Sequence, residues 1–163
     1  MHDAVADVRT YITRVLIAIC TFDRTGLRAV VLESKVLPIL VERLPSETNR
    51  DVCEEMLRLM SHCLKLRAGV SKLVEVDSCF HCCVPYLKSD SVSVRSMAAA
   101  CVSRLSQFDE TRIQLLQTTA VPFLIPLLND LRPKTCREAA RALMYISVNL
   151  KGCLLYTSDA ADE

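Results

Sequence analysis

Cys79-Phe80-His81-Cys82-Cys83, with His62-Cys63 upstream, is the densest set of soft donors in the sequence. Zinc needs four such donors converging tetrahedrally, usually as two short pairs held on turns. Here a single CxxC, Cys79 to Cys82, lacks a second pair. It also falls where a helix is expected, so its side chains alternate between core and surface. Free cysteines are common core fillers, and no metal ligand is assigned. A cysteine nucleophile needs a base beside it and a third group to orient that base, and only His2, His62 and His81 could serve as the base. Gly26, Gly69 and Gly152 form no phosphate-cradling loop; each lies near an expected helix junction and reads as a helix terminator. Glu54-Glu55 is expected on a helix surface. Asp109-Glu110 is expected at a helix start, where carboxylates are favoured. No catalytic residue and no cofactor is assigned, and the chain reads as a non-enzyme.

Composition agrees with a binding or structural role. The 163 residues hold 20 Lys+Arg against 19 Asp+Glu, with 51% hydrophobic residues and no tryptophan. That length can bury a real core. The near-neutral balance argues against nucleic acid, whose binders carry a basic surplus. The longest apolar run, Val15 to Cys20, is too short to cross a bilayer, so no membrane insertion is expected. Met1-His2-Asp3 does not open a secretory signal. Nine cysteines without such a signal point to reduced thiols and a cytoplasmic setting.

The last eleven residues, Cys153 to Glu163, break from the rest. The helical apolar pattern ends at Gly152, and Cys-Leu-Leu-Tyr-Thr-Ser-Asp-Ala-Ala-Asp-Glu resembles a one-frame translation of the transposase adapter used in sequencing libraries. Residues 153-163 are therefore expected to be non-native, and 1-152 a fragment of a longer protein. Setting aside Asp159, Asp162 and Glu163 lifts the net charge from +1 to +4.

Positioning of any site depends on a repeat. Val8–Leu16, Val52–Met60, Arg95–Val102 and Cys136–Leu143 share apolar or small residues three or four apart, as an amphipathic helix requires. Leu16, Met60, Val102 and Leu143 align at steps of 44, 42 and 41. Between them recurs a second block: Val36–Leu44, Cys79–Leu87 and Ala120–Leu128, in which Pro38, His81 and Pro122 correspond. A proline suits the first helical turn, whereas Pro85 and Pro126, four positions further on, are expected to kink or delay the helix. Short helices also fit Leu27–Glu33, Ala68–Glu75 and Glu110–Gln117, and no segment alternates as a half-buried strand would. The organisation expected is a leading helix at 7-20, then three-helix units at roughly 25-65, 66-107 and 108-150.

This alternation resembles the armadillo repeat, in which a block like Ala-Ile-Pro-x-Leu-Val-x-Leu-Leu precedes one like Ala-x-x-Ala-Leu-x-x-Leu-Ala. The likeness covers Val8 to Gly152 and is strongest over Ala120–Ser147. It implies an all-α, armadillo-type α-solenoid, a right-handed superhelix of three-helix repeats, whose third helices line a concave groove. A narrower likeness, to armadillo proteins of radial spokes, is carried by Ala120-Val121-Pro122-Phe123-Leu124, Arg137, Ala139 to Leu143, Ile146-Ser147, Leu150 and Gly152. It implies a scaffold in the axoneme of motile cilia or flagella. The alternative is a soluble signalling or trafficking adaptor.

The resemblance also marks groove positions. Nuclear import adaptors of this fold grip basic peptides with a Trp two residues before the aligned leucine and an Asn two residues after it. Here the first place holds Arg14, Arg58, Ala100 and Arg141; the second holds Ala18, His62, Arg104 and Tyr145. Without Trp or Asn, import cargo is disfavoured. Arg14, Arg58, His62, Arg104, Arg141 and Tyr145 are the candidate partner-binding residues, suited to a protein partner with acidic segments or an axonemal protein. The plainer alternative is that the arginines are ordinary solvated groove residues.

Overall fold

The computed structural model describes residues 4–76 and 79–159, and the side chains of all of these but 79, 81 and 149–159. In chain order the helices are α1 (Ala4–Phe22), α2 (Arg24–Leu32), α3 (Val36–Arg43), α4 (Arg50–Cys63), α5 (Arg67–Val74), α6 (Val92–Leu105), α7 (Asp109–Leu116), α8 (Ala120–Leu124) and α9 (Pro133–Asp159). Four are long and stack in sequence, α1 on α4, α4 on α6 and α6 on α9. Shorter elements fill the spaces between them, and no strand occurs among the described residues. The long helices start where polar caps stand. Asn49 accepts from the N–H groups of Asp51 and Val52, and Ser91 accepts from that of Val94.

Proline shapes the short elements. Pro38 and Pro122 sit in the first turns of α3 and α8, where a missing N–H breaks no helical bond. Pro126 cannot donate back to residue 122, so α8 stops at Leu124 and a 3-10 turn, Pro126–Asn129, follows. The helix expected over Cys79–Leu87 is instead two 3-10 turns, Cys79–Cys82 and Val84–Lys88. There Pro85 interrupts the ladder while His81 replaces the proline that starts the helix in the other two blocks.

The glycines are not terminators. Gly26 and Gly69 lie in the first turns of α2 and α5, against the end of the preceding long helix. A Cβ on Gly26 would lie 2.5 Å from the Ile19 carbonyl oxygen, and one on Gly69 only 2.2 Å from that of Cys63. Close backbone approach is what demands glycine there. At the same place in α7 stands Thr111, whose Oγ1 donates toward the Leu105 and Phe108 carbonyls. Gly152 lies inside α9, which runs on to Asp159 past the expected end. One interior glycine costs a helix only about 1 kcal/mol, and Leu154 and Leu155 favour continuation.

Among the described residues the core is one cluster running from Ala6 to Ile146. Each of the last three long helices buries the same four register positions. These are Val52, Met56, Leu59 and Cys63 in α4; Val94, Ala98, Cys101 and Leu105 in α6; and Thr135, Ala139, Ala142 and Ile146 in α9. All twelve are at most 7% exposed. The matching residues of α1, Val8, Ile12, Val15 and Ile19, are 42–59% exposed, and Val5 and Phe22 extend the same stripe.

Candidate partner-binding face

Most of the groove arginines are already paired. The Arg14 Nε lies 2.9 Å from Glu55 Oε1. Arg58 reaches Glu54 at 2.5 Å and Glu55 at 3.3 Å, and Arg141 reaches Glu138 at 3.2 Å. Glu55 corrects an expectation, because its residue is 4% exposed, not on a solvated surface. It is held between an arginine of its own helix and one 41 residues earlier, a partner invisible to any local pattern. Glu55-Arg58 and Glu138-Arg141 occupy the same register in α4 and α9. In α6 those places hold Met97 and Ala100, both buried. Ala18 is exposed and Tyr145 half-buried.

The remaining two candidates converge differently. The Arg104 Nε donates to the Ser61 Oγ at 3.1 Å, and the Lys65 Nζ lies 2.9 Å from His62 Nδ1. An ammonium can only donate, so that ring nitrogen accepts and the imidazole proton sits on Nε2. Burial, then the charges of Lys65, Arg104, Arg58 and Lys134, pushes the His62 pKa down to about 4. The imidazole is neutral at neutral pH. Burial, followed by Arg104, also lowers the Lys65 pKa. Lys65 was not among the candidates; it lies three residues past His62, just beyond the end of α4, and only the fold brings Arg104 to its side.

A second pattern ties successive units together. Arg9 of α1 pairs with Glu47 at 3.0 Å, and Arg95 of α6 pairs with Asp130 at 2.8 Å. The two arginines share one register position and the two acids another. Each acid also accepts the N–H two residues ahead, from Asn49 and Arg132 respectively, at 2.9 Å. Cysteine takes the arginine's place in α4 and α9. The Sγ of Cys53 donates to the Glu47 carbonyl, and that of Cys136 to the Asp130 carbonyl.

Nucleophilic chemistry finds no support at Cys63, the neighbour of His62. It is fully buried, and burial, helped by Cys20, pushes its thiol up to about 12. Among the described residues no three His, Cys, Asp or Glu side chains stand together as metal ligands would; the side chains of Cys79 and His81 lie outside that set. The adapter reading of Cys153–Glu163 rests on sequence alone, because the side chains of 153–159 and all of 160–163 are outside the described residues. No described helix is long and apolar enough to cross a membrane.

No family model matches the sequence, and no curated protein does. Solved structures do match. One engineered protein superposes with a TM-score of 0.78 at 24% identity, over 89% of this chain and 59% of its own. A designed armadillo repeat protein in complex with the peptide (KR)4 gives 0.71 at 20%, over 82% and 55%. Designed armadillo repeat proteins for modular peptide recognition give 0.71 at 18%, over 88% and 60%. The fold is an armadillo-type α-solenoid. At these identities the likeness shows the fold alone, and the chain spans 35–59% of the length of the first three engineered neighbours.

Proposed function

We propose that this chain is a non-enzymatic protein-interaction scaffold, and that it serves as a radial-spoke-associated component of the axoneme of motile cilia or flagella. The scaffold reading is carried by one observation: the long helices present exposed or half-exposed polar groups at six of eight equivalent positions, Arg14, Arg58, His62, Arg104, Arg141 and Tyr145, broken by Ala18 and Ala100. The axonemal reading rests on the likeness to the radial spoke head 14 homologue, also called the rhabdoid tumour deletion region protein, over Ala120–Leu124 and Arg137–Gly152. On this reading the chain co-sediments with detergent-extracted axonemes and leaves them in high salt. A wholly detergent-soluble pool rejects it.

The second reading is a soluble adaptor that binds an acidic peptide in the groove. It is favoured by Arg104, which forms no ion pair with any described carboxylate, unlike Arg14, Arg58 and Arg141. The (KR)4 peptide of one designed neighbour is basic, and the cations here favour the opposite charge. Arg104→Glu is expected to weaken such binding at least about tenfold, read by titration calorimetry. Unchanged affinity removes this second reading.

A further inference from the structure

We propose that Lys65, Arg104, His62 and Ser61 form a binding site for a phosphoryl group carried on a partner peptide. The inference rests on the protein-binding reading of the groove and names one chemical group that the groove takes.

The four residues come from the ends of two adjacent long helices. Ser61 and His62 are in the last turn of α4, Lys65 lies just beyond it, and Arg104 is in the last turn of α6. Two direct contacts fix the arrangement, Arg104 to Ser61 at 3.1 Å and Lys65 to His62 at 2.9 Å. Among the described residues neither Lys65 nor Arg104 forms an ion pair, whereas Arg14, Arg58 and Arg141 each do. The charged groups acting on His62 are Lys65, Arg104, Arg58 and, at longer range, Lys134 of α9; no carboxylate is among them. Arg58 is neutralised by Glu54 and Glu55, which leaves at least two uncompensated cations.

The donors match the ligand in number as well as charge. Lys65 has N–H groups beyond the one given to His62, and Arg104 keeps its Nη groups. His62 offers Nε2–H, and the buried Ser61 hydroxyl accepts from Arg104 and so holds the guanidinium in place. A phosphate monoester brings a charge of about −1.5 to −2 and three strong acceptor oxygens. A single carboxylate brings one charge and would leave a cation unmatched. A peptide is the favoured carrier because the site continues the row of equivalent helix positions that holds Arg14, Arg58 and Arg141, along which an extended chain could lie.

The test begins with inorganic phosphate, added to the labelled protein against chloride at equal ionic strength and followed through the His62 ring resonances. Saturable shifts are expected, with the His62 pKa rising from about 4 as the bound phosphate anion stabilises the imidazolium. Lys65→Ala and Arg104→Ala should each weaken binding about tenfold. Arg24→Ala, at an exposed arginine of α2 outside the row, should leave it unchanged. Lys65 is exposed, so its variant folds, and an unaltered melting curve checks this. Absence of saturable shifts overturns the proposal, as does binding that survives both substitutions. A phosphoserine peptide should then bind more tightly than its unphosphorylated twin, while phosphoinositide vesicles should not bind; the reverse pattern overturns the peptide assignment. Loss of phosphate binding with axonemal association retained would sink this inference alone.

Discussion

The apolar stripe of α1 and the matching stripe of α4 have the same spacing and opposite surroundings. Val8, Ile12, Val15 and Ile19 are roughly half exposed, while Val52, Met56, Leu59 and Cys63 are sealed by the short helices beside them and the long helix before them. The ion-pair clamps repeat the contrast. The Arg9 and Glu47 side chains are 41% and 10% exposed, against 19% and 2% for Arg95 and Asp130. Arg95 also donates to the Ser89 and Asp90 carbonyls, and Lys88 packs over Phe123 nearby. In a solenoid the neighbours of a residue, more than its type, decide what it contributes.

Substitutions can break this contrast or sharpen it. The largest effect is expected at the stripe. Leu59→Ala should cost about 3 kcal/mol by leaving a cavity, and Val15→Ala should stay within about 0.5 kcal/mol, both read from urea unfolding. If the two cost the same, α1 is covered in solution, and the stability should then depend on protein concentration. Next come the clamps. Asp130→Ala removes a buried acceptor of charged donors and should cost about 2 kcal/mol. Glu47→Ala should cost about 1 kcal/mol or less.

The smallest effect is acid sensitivity at the buried clamp. Burial alone would raise the Asp130 pKa, but the Arg132 N–H and the Arg95 guanidinium outweigh it, so the folded value lies below the ordinary carboxylate range. A depressed folded pKa contributes stability above the unfolded value of about 3.9. That contribution is lost as pH falls through the folded one. Asp130→Asn should therefore flatten the unfolding curve below about pH 4 and leave its shape near neutrality alone. Equal acid sensitivity in both proteins would show that other carboxylates carry the effect.

The long helices were legible because their apolar period is local, and Pro126 announced the break after α8 because its ring acts on its own turn. The split of Cys79–Leu87 into two 3-10 turns was only half legible: Pro85 signalled trouble, but the loss of a starting proline at His81 did not declare how far the helix would fail. Glu55 looked solvated since its second partner, Arg14, is remote in sequence. The same distance hid Arg104 from Lys65. Aligning Arg9 with Arg95 and Glu47 with Asp130 would have exposed the clamps, because both members recur in register. Gly26 and Gly69 do mark junctions, but at the start of the following helix, since spacing does not say which helix end comes within touching distance; Gly152 marks none, because α9 runs through it.

Those junctions set unequal freedom for the sequence to drift. Gly26 and Gly69 admit no side chain without moving a carbonyl, so the first two joints are closed to variation. The third already carries Thr111, and there a change of one atom group could be inherited without rebuilding the backbone. Adjustments to the bend of the solenoid, and with it the spacing offered to a ligand, should therefore accumulate on the α7 side of the molecule.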